Sequence, residues 1–275
     1  MRGDWYKQSE NVGQATVDCI YLSPRLNFQY DADKLDTLRW SYNRLFNTPP
    51  IAQGAAIGSP IVPEVLDQYD ISLERQLAPR QKAKLAYYVK QMKHQVDTGL
   101  LVPGSEIGLF SAVNFQIGAV HGIEFAYDLE AKKDPKTHKP YGWDAFLNYS
   151  YSLARPEGLD NAGQPAPEFN DHDQRNTVGV GGSFTWKNGY NAAITENYGS
   201  GLASSPIPPS TLRVQRATTN LQFTTGPGLF KGRGGLGLDI DNVFDDRSVI
   251  NFDSGFSGTR FDIGRRIMFS VFGSF

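Results

Sequence analysis

Residues 141 to 156 read YGWDAFLNYSYSLARP, with Trp143, Ala145, Leu147, Tyr149, Tyr151 and Leu153 in every second place and Gly142, Asp144, Phe146, Asn148, Ser150 and Ser152 between them. A period of two sends these sets to opposite faces of a strand. The same alternation recurs about ten to eleven times, in segments of about 9 to 11 residues, the length that a tilted membrane-crossing strand needs. Leu26, Phe28 and Tyr30 alternate with polar neighbours, and so do Leu38, Trp40 and Tyr42, then Tyr69, Ile71 and Leu73. Leu85, Tyr87 and Val89 come next, then Ile123, Phe125 and Tyr127, then Val178, Val180, Phe184 and Trp186. Weaker examples run through Tyr190, Ala192 and Ile194 and through Ala217, Thr219, Leu221 and Phe223.

Helical periodicity is nearly absent, and no run approaches the ~18 apolar residues of a membrane helix, which leaves a membrane barrel open. Connections alternate in length along most of the chain. Short ones such as DADKLD and APRQ take turns with long ones at 47 to 66, 95 to 118, 154 to 173, 199 to 211 and 246 to 258. Tight turns at one end and long loops at the other are the pattern of an outer-membrane barrel, with the turns periplasmic and the loops extracellular. By strand parity 31 to 36 and 77 to 81 are then periplasmic, and 154 to 173 and 199 to 211 extracellular. Aromatics toward the strand ends, Trp143 at one and Tyr149 and Tyr151 at the other, suit an interfacial girdle. A soluble β-sandwich also alternates and also carries long loops, so alternation leaves both architectures standing.

With Lys+Arg 27 against Asp+Glu 29 the net charge is -2, which offers no basic field for nucleic acid. The single Cys19 has no partner for an internal disulfide, and no CxxC pair provides zinc ligands. The amino terminus, MRGDWYKQSENV, lacks the apolar core of a secretory signal, so the chain is expected to be cytoplasmic or the tail of a longer one.

The candidate chemistry is sparse. Gly232 to Gly237, GRGGLG, fits the dinucleotide spacing, but the residues after it alternate as a strand, so a glycine-rich turn is expected. Glu168, Asp171, His172 and Asp173 gather in EFNDHDQR beside Arg175 as possible ligand-loop residues, without a regular zinc or calcium spacing. Asp239, Asp241, Asp245 and Asp246 lack the glycine and glutamate of a calcium loop. His94, His121, His138 and His172 accompany no catalytic motif, so neither an enzyme nor a bound cofactor is expected.

LSPRLNFQYDADKLDTLRWSYNRLFNTPP, PEVLDQYDISLERQL, VHGIEFAYDL, DIDNVFDD and the final GRRIMFSVFGSF occur in that order. Together they resemble the barrel of TonB-dependent outer-membrane receptors. The resemblance implies an all-β, antiparallel transmembrane barrel, here a partial one of about ten to eleven strands without plug, where the family has about 22 strands around a plug. Residues 1–22 would be an extracellular-loop remnant or leading strand, and 23–275 the carboxy-terminal portion of the barrel. Family membership further implies capture of a scarce ligand of the siderophore, cobalamin or oligosaccharide class at the extracellular loops. Energy would come from the TonB complex through the amino-terminal plug. The location would be the outer membrane of a Gram-negative envelope, among membrane lipid, with Phe275 as the signal read by the barrel-assembly machinery. Arg39, Arg44, Lys84 and Lys90 would face the lumen, to pair with plug carboxylates or attract an anionic ferric siderophore. A passive porin-like or adhesive barrel and a soluble carbohydrate-binding β-sandwich are the alternative functions.

Overall fold

The computed structural model describes residues 2–9, 16–48, 61–101, 110–160, 163, 165–166, 168, 173–202, 213–226, 229, 233–254 and 258–273. Its strands are β1 (Arg2–Ser9), β2 (Thr16–Ser23), β3 (Arg25–Asp31), β4 (Asp36–Asn47), β5 (Glu64–Ala78), β6 (Gln81–Leu101), β7 (Phe110–Leu129) and β8 (Lys132–Lys133). They continue with β9 (Pro140–Asp160), β10 (Asn176–Thr185), β11 (Asn191–Gly199), β12 (Arg216–Thr224), β13 (Gly234–Asp241), β14 (Val249–Ser254), β15 (Gly258–Phe261) and β16 (Arg266–Gly273). Strands pair antiparallel in one 12-stranded sheet, mostly with their sequence neighbours, ordered β16-β13-β12-β11-β10-β9-β7-β6-β5-β4-β3 with β8 beside β9 off that path. The β1–β2 and β14–β15 hairpins form separate ribbons. The long sheet is not closed: β3 and β16 are its two ends.

Register turns the alternation of each strand into two continuous faces. Leu38 pairs with Leu73, Leu73 with Leu85, Leu85 with Phe125, Phe125 with Tyr149, Tyr149 with Val178 and Val178 with Tyr198. One place along, Arg39 pairs with Ser72, Ser72 with Ala86, Ala86 with Glu124, Glu124 with Ser150 and Ser150 with Thr177. A one-residue slip anywhere would mix the two rows, so the patterning and the register specify each other. The apolar row lies open: Trp143 is 64% exposed and Phe269 81%. Buried apolar side chains among the described residues are few, namely Ile61, Met92 and Phe115. A soluble sandwich would bury the apolar row of each strand, and this sheet displays it, which removes the sandwich.

Aromatics border that outward face. At the short-turn end Trp143 meets Phe184 edge-on at 4.9 Å, Phe184 meets Trp186 at 4.9 Å, and Tyr190 lies 6.1 Å from Phe223. Toward the other end Tyr42 lies 5.1 Å from Tyr69. The inward face keeps its few aromatics flat. A side chain at Gly181 would meet the Phe146 ring at 2.6 Å, and Tyr88 covers Gly122 in the same way. Only glycine leaves room for a ring to lie against the neighbouring strand.

Asp33 closes the first short turn, its Oδ1 accepting from Leu35 N at 2.7 Å and Asp36 N at 2.8 Å, and those donors hold its carboxyl below the usual range. Asp134 does the same for Thr137 and Lys136 in the longer turn before β9, and its carboxyl is lowered by them. The connections at 31 to 36 and 77 to 81 lie at one end of the sheet and those after Asp160 and Gly199 at the other. Two expected loops are shorter than the composition suggested. β6 runs on to Leu101, β7 starts at Phe110 and β9 runs to Asp160, so much of 95 to 118 and the first part of 154 to 173 is strand. Beyond the apolar band both faces of a strand meet the same medium, so alternation fades there while backbone pairing continues.

Candidate functional site

The inward face offers a polar wall. Glu74 anchors one end of it, taking Arg39 Nη1 at 3.2 Å and Lys82 Nζ at 3.0 Å. Ser41 donates to Asp70 at 2.9 Å, Ser183 to Asp144 at 2.6 Å and Gln222 to Asp239 at 2.7 Å. Arg266 pairs with Asp241 at 2.7 Å. Midway along the wall a groove of about 340 Å³ opens over Ala86, Ala126 and Gly179, flanked by Lys84, Glu124, Asn148 and Asn197. Small residues set among longer ones create that space, Ala86 opposite Glu124 and both Ala126 and Gly179 opposite Asn148, so charges and amides border it. Lys90 sits 5.3 Å from the Tyr88 ring. Arg39, Lys84 and Lys90 hold inward register positions. Arg44 does not: it shares the face of Trp40 and Tyr42 and binds Asp67 at 2.7 Å, so it is an outward residue above the tyrosines. Alternate parity with Arg39 requires this.

Three ties organise the long-connection end. Asp173, with its side chain 1% exposed, accepts from Arg213 Nη2 at 2.8 Å, Arg175 Nε at 2.9 Å and Ala154 N at 3.0 Å. Arg213 also donates to the carbonyls of Gly201, at 3.2 Å, and Asp173. One buried carboxylate thus joins the top of β9 to the connections after β9 and β11. Asn114 forms the second tie, accepting from Val62 N at 2.7 Å and donating to Val62 O at 3.0 Å and His94 O at 2.9 Å, above buried Ile61 and Phe115. Beside it, at the far end of β5, burial pushes the Glu64 carboxyl up, against the lowering effect of Val96 N at 3.0 Å. Asn242, at φ 52, is the third tie. Its side chain binds Asp246 N at 2.9 Å, Asp246 O at 2.7 Å and Ile263 O at 3.0 Å, while its own N–H reaches Asn220 at 2.8 Å.

Of the possible ligand-loop residues, Glu168 is exposed and Asp173 is the buried centre of the first tie. Asp171 and His172 lie outside the described residues, as does Phe275. Asp239, Asp241, Asp245 and Asp246 take separate partners, and no group of three metal-ligating side chains gathers among the described residues. The stretch from Gly234 is strand β13, so the glycine spacing holds no dinucleotide fold. Arg213 and Asn114 escaped sequence reasoning because nothing local marks them. Asn242 stands in the DIDNVFDD motif and was legible there only as part of a resemblance.

The family model for the TonB dependent receptor-like β-barrel matches residues 1–266. No curated protein matches the sequence. Solved structures share the fold: the FrpB iron transporter from Neisseria meningitidis at 16% identity, with 94% of this chain and 40% of that chain covered and a TM-score of 0.65. FpvA of P. aeruginosa, solved with a heterologous pyoverdine and Fe, matches at 14% identity over 94% of this chain and 33% of its own, with TM-score 0.65. The copper transporter OprC matches at 15% identity over 94% and 40%, with TM-score 0.68. The chain therefore spans about 40% or less of these relatives' length. An outward apolar face and a polar inner wall on an open antiparallel sheet, together with a model match over nearly the whole length, establish that the chain belongs to the TonB-dependent receptor β-barrel family.

Proposed function

We propose that this chain builds part of the wall of an outer-membrane receptor that takes up a scarce small ligand with energy supplied through TonB. The observation that carries the reading is the inverted distribution of its side chains: the apolar row faces out across the main sheet and the polar row faces in. Such a wall is stable where hydrocarbon lies outside and polar protein or water inside. The ligand class that the relatives favour is a metal or metal chelate, since FrpB is an iron transporter, OprC a copper transporter and FpvA was solved with ferric pyoverdine.

In this reading the inner groove between Lys84 and Glu124 seats polar groups of the plug, and the tied connections beyond Asp160 and Gly199 form the ligand mouth facing the outside of the cell. Glu168 stands exposed at that mouth, with Asp171 and His172 assigned to it by sequence. The wall performs no bond chemistry: it binds, orients and passes a ligand. Phe275 is assigned to recognition by the assembly machinery.

Uptake of a radiolabelled ferric chelate by cells making the receptor tests this. Transport that stops when TonB is deleted is the expected result. Transport that persists without TonB would indicate the porin-like alternative.

A further inference from the structure

Charge is uneven around the short-turn end of the sheet. At the first turn Lys34 stands among Asp31, Asp33 and Asp36, and beside the next one Lys82 is held by Glu74 at 3.0 Å. The hairpin tip between β8 and β9 differs: Lys132, Lys133, Lys136 and Lys139, all exposed, accompany one acid, Asp134. Lys187, in the turn after β10, joins them, its Nζ 5.6 Å from the Tyr141 ring. The Asp134 carboxyl, lowered first by the Thr137 and Lys136 N–H groups, is lowered further by the Lys187 charge, so the two turns make one patch. None of the five lysines forms an ion pair among the described residues.

The patch borders a hollow. About 430 Å³ of space lies against Tyr141, Gly142, Phe184, Trp186, Lys187 and Asn188. Gly142, at φ 84, keeps it open, since a Cβ there would meet nothing within 4 Å. Phe184 and Trp186 belong to the aromatic border of the outward face, so one side of the hollow is aromatic and the other cationic. Asn188 Oδ1 accepts from Tyr190 N at 3.2 Å, which leaves its amide NH2 to donate beside Lys187. Lys132 pairs in register with Tyr141, Lys139 stands two residues before Tyr141, and Lys187 follows Trp186. Two extended residues cover about 7 Å, and the headgroup layer of a leaflet reaches about 5 to 8 Å beyond the hydrocarbon. These ammonium groups therefore stand at the level of lipid phosphates.

We propose that Lys132, Lys139, Lys187 and Asn188, with the Phe184–Trp186 border, form a binding site for an anionic phospholipid of the periplasmic leaflet. Its phosphodiester meets the lysine ammonium groups and the Asn188 amide, and its glycerol and upper acyl chains lie against Trp186 and Phe184. Groups of about four to eight lysines or arginines beside a membrane-crossing segment attract anionic headgroups, each worth about fivefold in affinity. A zwitterionic lipid brings an ammonium of its own toward the same lysines and gains less. An acidic protein segment or a cell-wall carboxylate suits the lysines but leaves the aromatic side of the hollow unused. The site rests on the reading that the outward face meets lipid and that the short turns are periplasmic.

The test is native mass spectrometry of the detergent-extracted receptor, titrated with phosphatidylglycerol or with phosphatidylethanolamine of the same chains. Wild type should retain phosphatidylglycerol at least about tenfold better, and Lys187→Gln should cut that preference about fivefold. The triple variant Lys132→Gln, Lys139→Gln, Lys187→Gln should hold both lipids alike. Trp186→Ala should weaken both, and Lys34→Gln, at another short turn, should change neither. Equal retention of the two lipids by wild type, or an undiminished preference in the triple variant, would overturn the site. So would a preference that Lys34→Gln lowers as much as Lys187→Gln does, or a photo-crosslinker at Pro140 that captures a protein or cell-wall strand and no phospholipid in intact cells. Absence of the headgroup preference with normal barrel assembly removes only this site, whereas a Leu147→Arg receptor that assembles normally would bring down the outward-face reading itself.

Discussion

Leu147 and Asn148 are neighbours in sequence and belong to opposite faces, Leu147 in register with Val180 and Asn148 with Gly179. Arginine at Leu147 is expected to cost about 2 to 4 kcal/mol if it lies near mid-bilayer, and arginine at Asn148 much less, since the groove there already accommodates Lys84 and Glu124. Heat-modifiable gel migration of the two variants reads this directly, and equal assembly would contradict the assignment. Gly181→Leu should also destabilise, by about 1 to 3 kcal/mol, because its side chain would displace the Phe146 ring. At Asp173 the expectation is comparable or larger: Asp173→Ala removes the carboxylate that two mostly buried arginines share, a loss of about 3 kcal/mol that should appear as faster proteolysis of the connections after β9 and β11. Which face Leu147 occupies was half legible in sequence, since period two separates it from Asn148 but does not say which medium lies outside. The role of Asp173 was not legible, because its partner Arg213 is 40 residues away and the pairing depends on two connections meeting in space.

At the scale of the strand, alternation located nearly every element of the main sheet, and it failed where the medium stops differing between faces. The outer parts of β6, β7 and β9 illustrate this, and so does Glu64 at the end of β5, where a half-buried carboxyl replaces an outward-inward rule. That carboxyl provides a pH test. Its folded pKa lies above the ordinary value of 4.5, so the folded end binds the proton more tightly than the unfolded chain does. The stability of this end is therefore greatest below about 4.5 and falls as pH rises through the raised value. Hydrogen exchange at Val62 and Val96, corrected for intrinsic rates, should speed up over that rise, and Glu64→Gln should abolish the trend. An unchanged pH trend in Glu64→Gln would show that another group is responsible.

For the molecule as a whole, the two ends of the sheet dominate. β3 and β16 each leave one row of N–H and C=O groups without a strand partner in the main sheet, and each such group costs several kcal/mol in hydrocarbon. These 275 residues made alone are accordingly expected to aggregate or be degraded, without heat-modifiable migration and without uptake. A folded monomer that conducts ions in a planar bilayer would refute this and favour a small closed barrel. The openness of the sheet was foreseeable from the strand count, but the bare surface over Gly182 was not, because a glycine in a strand reads alike whether its neighbour covers it or leaves it bare. The Asp173 tie has a different bearing. Three of its contacts, to Ala154 N and to the carbonyls of Gly201 and Asp173, are made to main-chain atoms. Side chains elsewhere along the tied connections can therefore be exchanged without touching these contacts, so the tie dictates the path of the chain there more than the chemistry that the chain displays.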